Sequence, residues 1–162
     1  MKALLSFLLS TTPFLIGAAS FMQNFSLTIP PSSSLSVSKN PDPLTVFLNS
    51  KGSGNTTDSS STYTVSSNTG VGKLKIIGSI TSGGNMPANT TLSIWLSSNS
   101  GKSAGTVTLS TTAVDLVKKI SSLVNETGKI NYTFSVQNGW TIPAQTIQRT
   151  VTLTLVSTGS IF

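Results

Sequence analysis

What most constrains this chain is a hydrophobic pattern of period two. Phe25, Leu27 and Ile29 alternate with Asn24, Ser26 and Thr28, and Leu44, Val46 and Leu48 repeat the pattern. Leu92, Ile94 and Leu96 alternate with Thr91, Ser93, Trp95 and Ser97. Ile130, Tyr132, Phe134 and Val136 do so with Asn131, Thr133 and Ser135. The cleanest row sets Val151, Leu153 and Leu155 against Thr150, Thr152 and Thr154, and shorter runs sit at Tyr63–Val65, Leu74–Ile80 and Val107–Leu109. Successive side chains of a strand point to opposite faces, so this pattern belongs to antiparallel sheets with one dry and one wet face. Pro30-Pro31, Asn40–Pro43, Gly52–Asn55, Gly83–Asn85 and Asn99–Gly101 separate the runs with turn chemistry. About eight short strands with frequent turns predict an all-β, immunoglobulin-like antiparallel β-sandwich. The parity of its run places Trp95 on the outer face.

One segment departs from that period. Ala113, Leu116, Val117, Ile120, Leu123 and Val124 follow helical spacing, with Thr112 as a cap, Asp115 three residues on and Gly128 beyond the end. This predicts a short helix over 113–124 crossing one end of the sandwich. Ser32–Ser34 reads as a linker, and Gly52–Ser61 as a long surface loop or hairpin tip.

Composition narrows the chemistry. The 162 residues include 29 Ser and 24 Thr, about a third of the chain, but no Cys and no His. Without Cys there is no disulfide framework, thiol nucleophile or iron–sulfur site, and without His no Ser-His-Asp triad. No cofactor or metal is expected. The four acids are dispersed: Asp42 between prolines, Asp58 in the Ser-rich stretch, Asp115 at the expected helix start and Glu126 in a turn. A glycosidase would need two facing carboxylates, so the expectation is a chain that is not an enzyme. Ten Lys and Arg give a net charge of +6, yet Lys118-Lys119 is the single adjacent pair and Arg149 the single arginine. Nucleic-acid surfaces cluster such residues among aromatics, so no nucleic-acid partner is expected. An isopeptide crosslink would need a buried Lys, whereas alternation puts Lys73 and Lys75 on the wet face.

The first twenty residues supply an address. Met1-Lys2 is a short basic start, Ala3–Ile16 an apolar stretch broken by Ser10–Pro13, and Gly17–Ser20 a small-residue end. That order predicts a secretory signal peptide over 1–20, cleaved after Ala19 or Ser20. The apolar run is too short to span a membrane, so no transmembrane segment is expected once the leader is removed. An N-terminal extension and linker over 21–34 and a sandwich over 35–162 would follow, placed outside the cell or at its surface.

In an exported chain, the sequons at Asn24, Asn55, Asn89, Asn125 and Asn131 are candidate glycan acceptors. Eleven Asn in a Ser/Thr-rich chain produce several such triplets by chance, and Asn55 and Asn89 are favoured as loop sites. Trp140, beside Gly139, and Trp95 are candidate sugar-stacking platforms. The repeated Thr-x-Thr rows read as the wet faces of strands.

Phe21–Ile29 is a strand-like segment detached from the next strand by Pro30-Pro31 and Ser32–Ser34, and Gln148–Val156 is a long alternating strand at the far end. In Asn24–Ser34 and that C-terminal strand the chain resembles donor-strand surface filaments, namely fimbriae and the glycosylated thread-type filaments of archaea. It departs from many bacterial fimbrial subunits in having no Cys pair. The resemblance implies a homopolymer in which Phe25, Leu27 and Ile29 enter a neighbour's open sandwich. The alternative reading is a secreted carbohydrate-binding or adhesion module.

Overall fold

A computed structural model describes residues 26, 28–30, 32–138 and 145–158. Its strands are β1 (Ser33–Val37), β2 (Gly54–Ser82), β3 (Thr90–Leu96), β4 (Lys102–Ser103), β5 (Val107–Thr108), β6 (Val114–Val136) and β7 (Thr150–Ser157). All pairings are antiparallel. The fold is an all-β sandwich with sheets of five and four strands, and the described residues contain no helix.

The frame is one long ladder. β2 has 29 residues and β6 has 23, paired from Gly54 opposite Val136 to Gly78 opposite Val114. Near its middle the register slips: Asn68 faces Leu123 and Lys73 faces Ser121, leaving 69–72 of β2 opposite residue 122. Extra residues on one strand bend it and reset which side chains face inward. Ser61, Tyr63 and Val65 are therefore buried before the bend, and Leu74, Ile76 and Ile80 after it. The two halves of the ladder become two sheets. One carries β1-β2-β6-β3-β5, and the other adds β7 to β2 and β4 to β6. Between them lie Tyr63, Val65, Leu74, Ile76, Ile94, Leu96, Leu116, Val117, Ile120 and Ile130, all essentially inaccessible to solvent. Each such aliphatic side chain contributes about 1.5–3 kcal/mol of transfer free energy.

The helix expected at 113–124 is corrected. These residues belong to β6, apart from Ala113 just ahead of it, and Leu116, Val117 and Ile120 are all buried. The ladder shifts register between Leu74 and Ile76 and again between Ile76 and Ile77, and Lys119 takes a positive φ of 57°. Each bulge resets strand parity, so inward positions fall at i, i+1 and i+4. A helix gives the same spacing, and period alone could not tell the two apart.

Three further expectations change. Gly54–Ser61, assigned to a loop, forms the start of β2. Leu44, Val46 and Leu48 are half-buried with exposed residues between them, but 41–49 pairs with no strand and leaves Phe47 86% exposed. Ser33 and Ser34, read as linker, are already paired in β1. Trp95 lies on the outer face, as its parity required, with Ile94 and Leu96 beneath it.

Candidate functional site

Chemistry in this molecule is sparse, and what distinguishes one surface from another is how the sheet edges end. The outer edge of β6 is covered by one continuous run of chain. β3 pairs with 130–136, and Ser97 follows, its N–H donating to the Lys129 carbonyl (3.0 Å) while the Lys129 N–H donates to Ser97 Oγ (2.7 Å). Farther on, β4 pairs Lys102 with Lys118 and Ser103 with Val117, and the Ala104 N–H donates to the Leu116 carbonyl at 2.8 Å.

The loop between β3 and β4 is fixed by Glu126, which stands in β6 and not in the turn expected from sequence. Its carboxylate accepts from Ser98 Oγ (3.0 Å), the Ser100 N–H (2.9 Å) and the Tyr63 hydroxyl (3.4 Å). Burial alone would push Glu126 up; the hydrogen bonds from Ser100, Ser98 and Tyr63 outweigh it and hold the carboxyl below its ordinary value. Burial, with the Glu126 charge adding to it, pushes Tyr63 up to about 12, so its hydroxyl stays protonated and donates to the Ser97 carbonyl at 2.5 Å. Beyond Ser103 the chain crosses Gly105, at φ 83°, into β5, so this side ends in strands of two residues each.

The outer edge of β2 is built differently. Two strands from opposite ends of the chain lie end to end along it: β1 beside Tyr63–Ser67 and β7 beside Leu74–Ser82. Both run antiparallel to β2, so β7 occupies the track that a straight extension of β1 towards the N-terminus would follow. The described residues ahead of β1, Ser26, Thr28–Pro30 and Ser32, lie in no strand. Asn68 holds Ser32 and Pro30 at the bend: its Oδ1 accepts from the Ser32 N–H (2.6 Å), its own N–H donates to the Ser32 carbonyl (3.1 Å), and its Nδ2 donates to the Pro30 carbonyl (3.4 Å). Beside it, the Thr158 N–H (2.7 Å) and Oγ1 (2.8 Å) both donate to the Lys73 carbonyl and fix the end of β7.

β7 is an eight-residue edge strand without a charged residue or a proline, and β1 is likewise uncharged. Because Thr158 bonds back to β2, alternation directs the backbone groups of Val151, Leu153, Leu155 and Ser157 away from it, along the open edge. Val151, Leu153 and Leu155 pack on the core but are only half-buried, as is Leu35 of β1.

The expected site residues fall unevenly. Phe25, Leu27, Asn24 and Trp140 lie outside the described residues, as does the leader over 1–20. Ile29 is 73% exposed, and Ser26 and Thr28 are exposed with it. Asn55 and Asn125 are exposed strand residues, Asn89 is exposed in the turn before β3 at φ 60°, and Asn131 is half-buried in β6. Asp115 does not cap a helix; it pairs with Lys75 (2.8 Å) and Lys118 (3.4 Å), and the Lys75 contact foremost holds its carboxyl below the ordinary value.

Among the described residues no three acids, His or Cys gather to hold a metal, and no helix is long and apolar enough to cross a membrane. An open concavity of about 510 Å³ lies where β2 starts and β6 ends, lined by Asn49, Ser53, Gly54, Asn55, Ser135 and Gln137 among others, without a titratable group. Set against known protein families, characterised proteins and solved structures, the chain matches none of them.

Proposed function

We propose that this chain is an exported, non-enzymatic structural protein that assembles into a cell-surface filament by β-strand complementation. The observation that carries the reading is that β7 occupies the track along β2 ahead of β1. β7 holds the place along β2 that a straight continuation of β1 would fill, and Asn68 holds the Ser32 N–H and the Pro30 carbonyl at the bend. Ile29, in the apolar row that the sequence sets ahead of β1, is exposed, and β1 and β7 offer uncharged edges. Edges of that kind template the addition of another strand unless charge, proline or shortness blunts them. The opposite side of the sandwich is blunted by shortness and by Lys102, so addition proceeds head to tail. A heterologous contact that does not close gives a filament.

In the assembly, Phe25, Leu27 and Ile29 of one copy supply the apolar row that the half-buried Val151, Leu153 and Leu155 lack. Electron microscopy of purified mature protein tests this. The expected result is filaments that disappear when residues 21–29 are deleted. A strict monomer, or filaments that survive the deletion, would overturn the proposal. The exposure of Trp95 favours a second reading, a carbohydrate-binding module, which predicts glycan-array binding that is lost in Trp95→Ala.

A further inference from the structure

The register of β3 against β6 sets one sequon apart from the others. Trp95 lies directly opposite Asn131, and Ser93 opposite Thr133, all four on the outer face of the five-stranded sheet. Residues directly opposite in an antiparallel pair have Cβ atoms about 4.5–5.5 Å apart. The indole is 36% exposed among polar residues of the same face, with Ser93 and Ser97 on its own run of chain and Thr133 and Lys129 on β6. On the other side of Asn131, β2 bulges between Asp58 and Ser61, so that the exposed Ser59 and Ser60 face that one residue.

The remaining described sequons differ. The Asn125 side-chain carbonyl accepts from Ser66 Oγ at 3.0 Å, and Asn55 faces Ser135 with no aromatic opposite. Asn89 sits in a turn. The side-chain amide of Asn131 has no hydrogen-bond partner among the described residues. Its sequon is extended, with the hydroxyl of Thr133 on the same face.

We infer that Asn131 carries an N-linked glycan whose first sugar lies on the face of Trp95. The inference rests on the export reading above, because the donor is an oligosaccharide linked through phosphate to a membrane isoprenoid, supplied with its transferase by the export route. In the transfer, Asn131 Nδ2 forms a bond to the anomeric carbon as the bond from that carbon to the phosphate oxygen breaks. The amide gives up one proton, the lipid phosphate leaves with the electron pair, and nothing is oxidised or reduced. The pyranose then has its C–H face over the indole and its hydroxyls towards Ser93, Ser97 and Lys129. A large apolar ring on a polar sheet is thereby covered without a protein partner. The edges along β1 and β7 stay clear of the sugar, since Asn131 is separated from them by β2 and projects from a face.

Trypsin makes the test direct, because cleavage at Lys129 and Arg149 releases Ile130–Arg149, which contains one sequon. Peptide mapping of protein isolated from the cells that produce it should show a glycan mass on that peptide in most molecules, lost in Thr133→Val. Trp95→Thr should then lower Tm by about 2–4 °C in the glycosylated protein and by under about 1 °C in Thr133→Val, with Trp95→Phe intermediate. An exported, processed protein whose Ile130–Arg149 peptide is bare overturns this inference and leaves the filament proposal standing. Protein that stays inside the cell with Met1 intact overturns the export reading and this inference together. An equal cost of Trp95→Thr in both backgrounds overturns the packing role of Trp95.

Discussion

The two long strands of this sandwich have their outer edges closed in opposite ways. The edge of β6 is covered by a single local run, Thr90–Ala104, pinned at its middle by Glu126 and Lys129 and ending in two-residue strands. The edge of β2 is covered by β1 and β7, drawn from opposite ends of the chain, and these present long free edges of their own. The first side seals the ladder. The second transfers the problem outwards, to strands with neither charge nor proline to stop a further strand from joining. The difference teaches where a sandwich of this kind is a finished domain and where it is a site.

The sealed side should be the less forgiving. A methyl group at Gly128 would fall on the Tyr63 ring and against the Ser97 carbonyl, both fixed in the cluster that pins the β3–β4 loop. Backbone and a buried ring cannot yield cheaply, so Gly128→Ala should cost about 3 kcal/mol or more, read by chemical denaturation. A cost below about 1 kcal/mol would mean that the seal is looser than its geometry.

How much of this contrast was legible in the sequence depends on the residues. β3, β7 and the second half of β6 announced themselves, because Ile94, Leu96, Ile130 and the row Val151–Leu155 alternate strictly with Ser, Thr and Asn. The start of β2 did not. In Asn55–Ser61 every residue is Asn, Thr, Asp or Ser, so no apolar row marks the strand, and only its pairing with β6 makes it one. Leu116, Val117 and Ile120 misled because bulges imitate helical spacing. Glu126 looked like a turn residue, since its three donors, Ser98, Ser100 and Tyr63, are distant in sequence. That β7 lies along β2 directly ahead of β1 was not legible either, because it depends on two strands far apart in sequence sharing one edge.

The open side is tested by blunting it. Thr154 is exposed on β7, and a lysine there places charge on the edge strand without entering the core. Thr154→Lys should raise the concentration needed for filament growth about tenfold or more, equivalent to about 1.4 kcal/mol per contact. Thr108→Lys on β5 is the matched change on the opposite side and should leave growth within about twofold, since that edge is already too short to template a strand. Equal effects, measured by turbidity or sedimentation, would erase the contrast between the edges.

A smaller effect separates the two sides by pH. Glu126 has its carboxyl held low in the folded protein. A depressed folded value stabilises above the unfolded carboxyl value of about 4.3 and is lost as pH falls through the folded one. Glu126→Gln should cost about 1 kcal/mol at neutral pH, discounted for partial solvent exposure, and should flatten the acid limb of the stability curve. Filament growth at neutral pH should not change. An unchanged acid limb in denaturation titrations would remove Glu126 from the seal.

The smallest effect is expected at Asn68, yet it bears most directly on why the open side is open. Its side chain holds Ser32 and Pro30 with two exposed hydrogen bonds, and its backbone already pairs with Ser32. Exposed bonds of this kind fall at the lower end of the usual range, about 0.5 kcal/mol each, so Asn68→Ala should move the denaturation midpoint only slightly. What should change is the direction in which the extension leaves. β7 still occupies the track beside Leu74–Ser82, so on the filament proposal Asn68→Ala frees the chain at Ser32 and Pro30 without giving it a new place there. Limited proteolysis between Ser26 and Ser32 should quicken several-fold, while filaments still form with less uniform spacing between subunits. If the extension became more protected instead, it would be docking on its own subunit, and β7 would not be what keeps it outside.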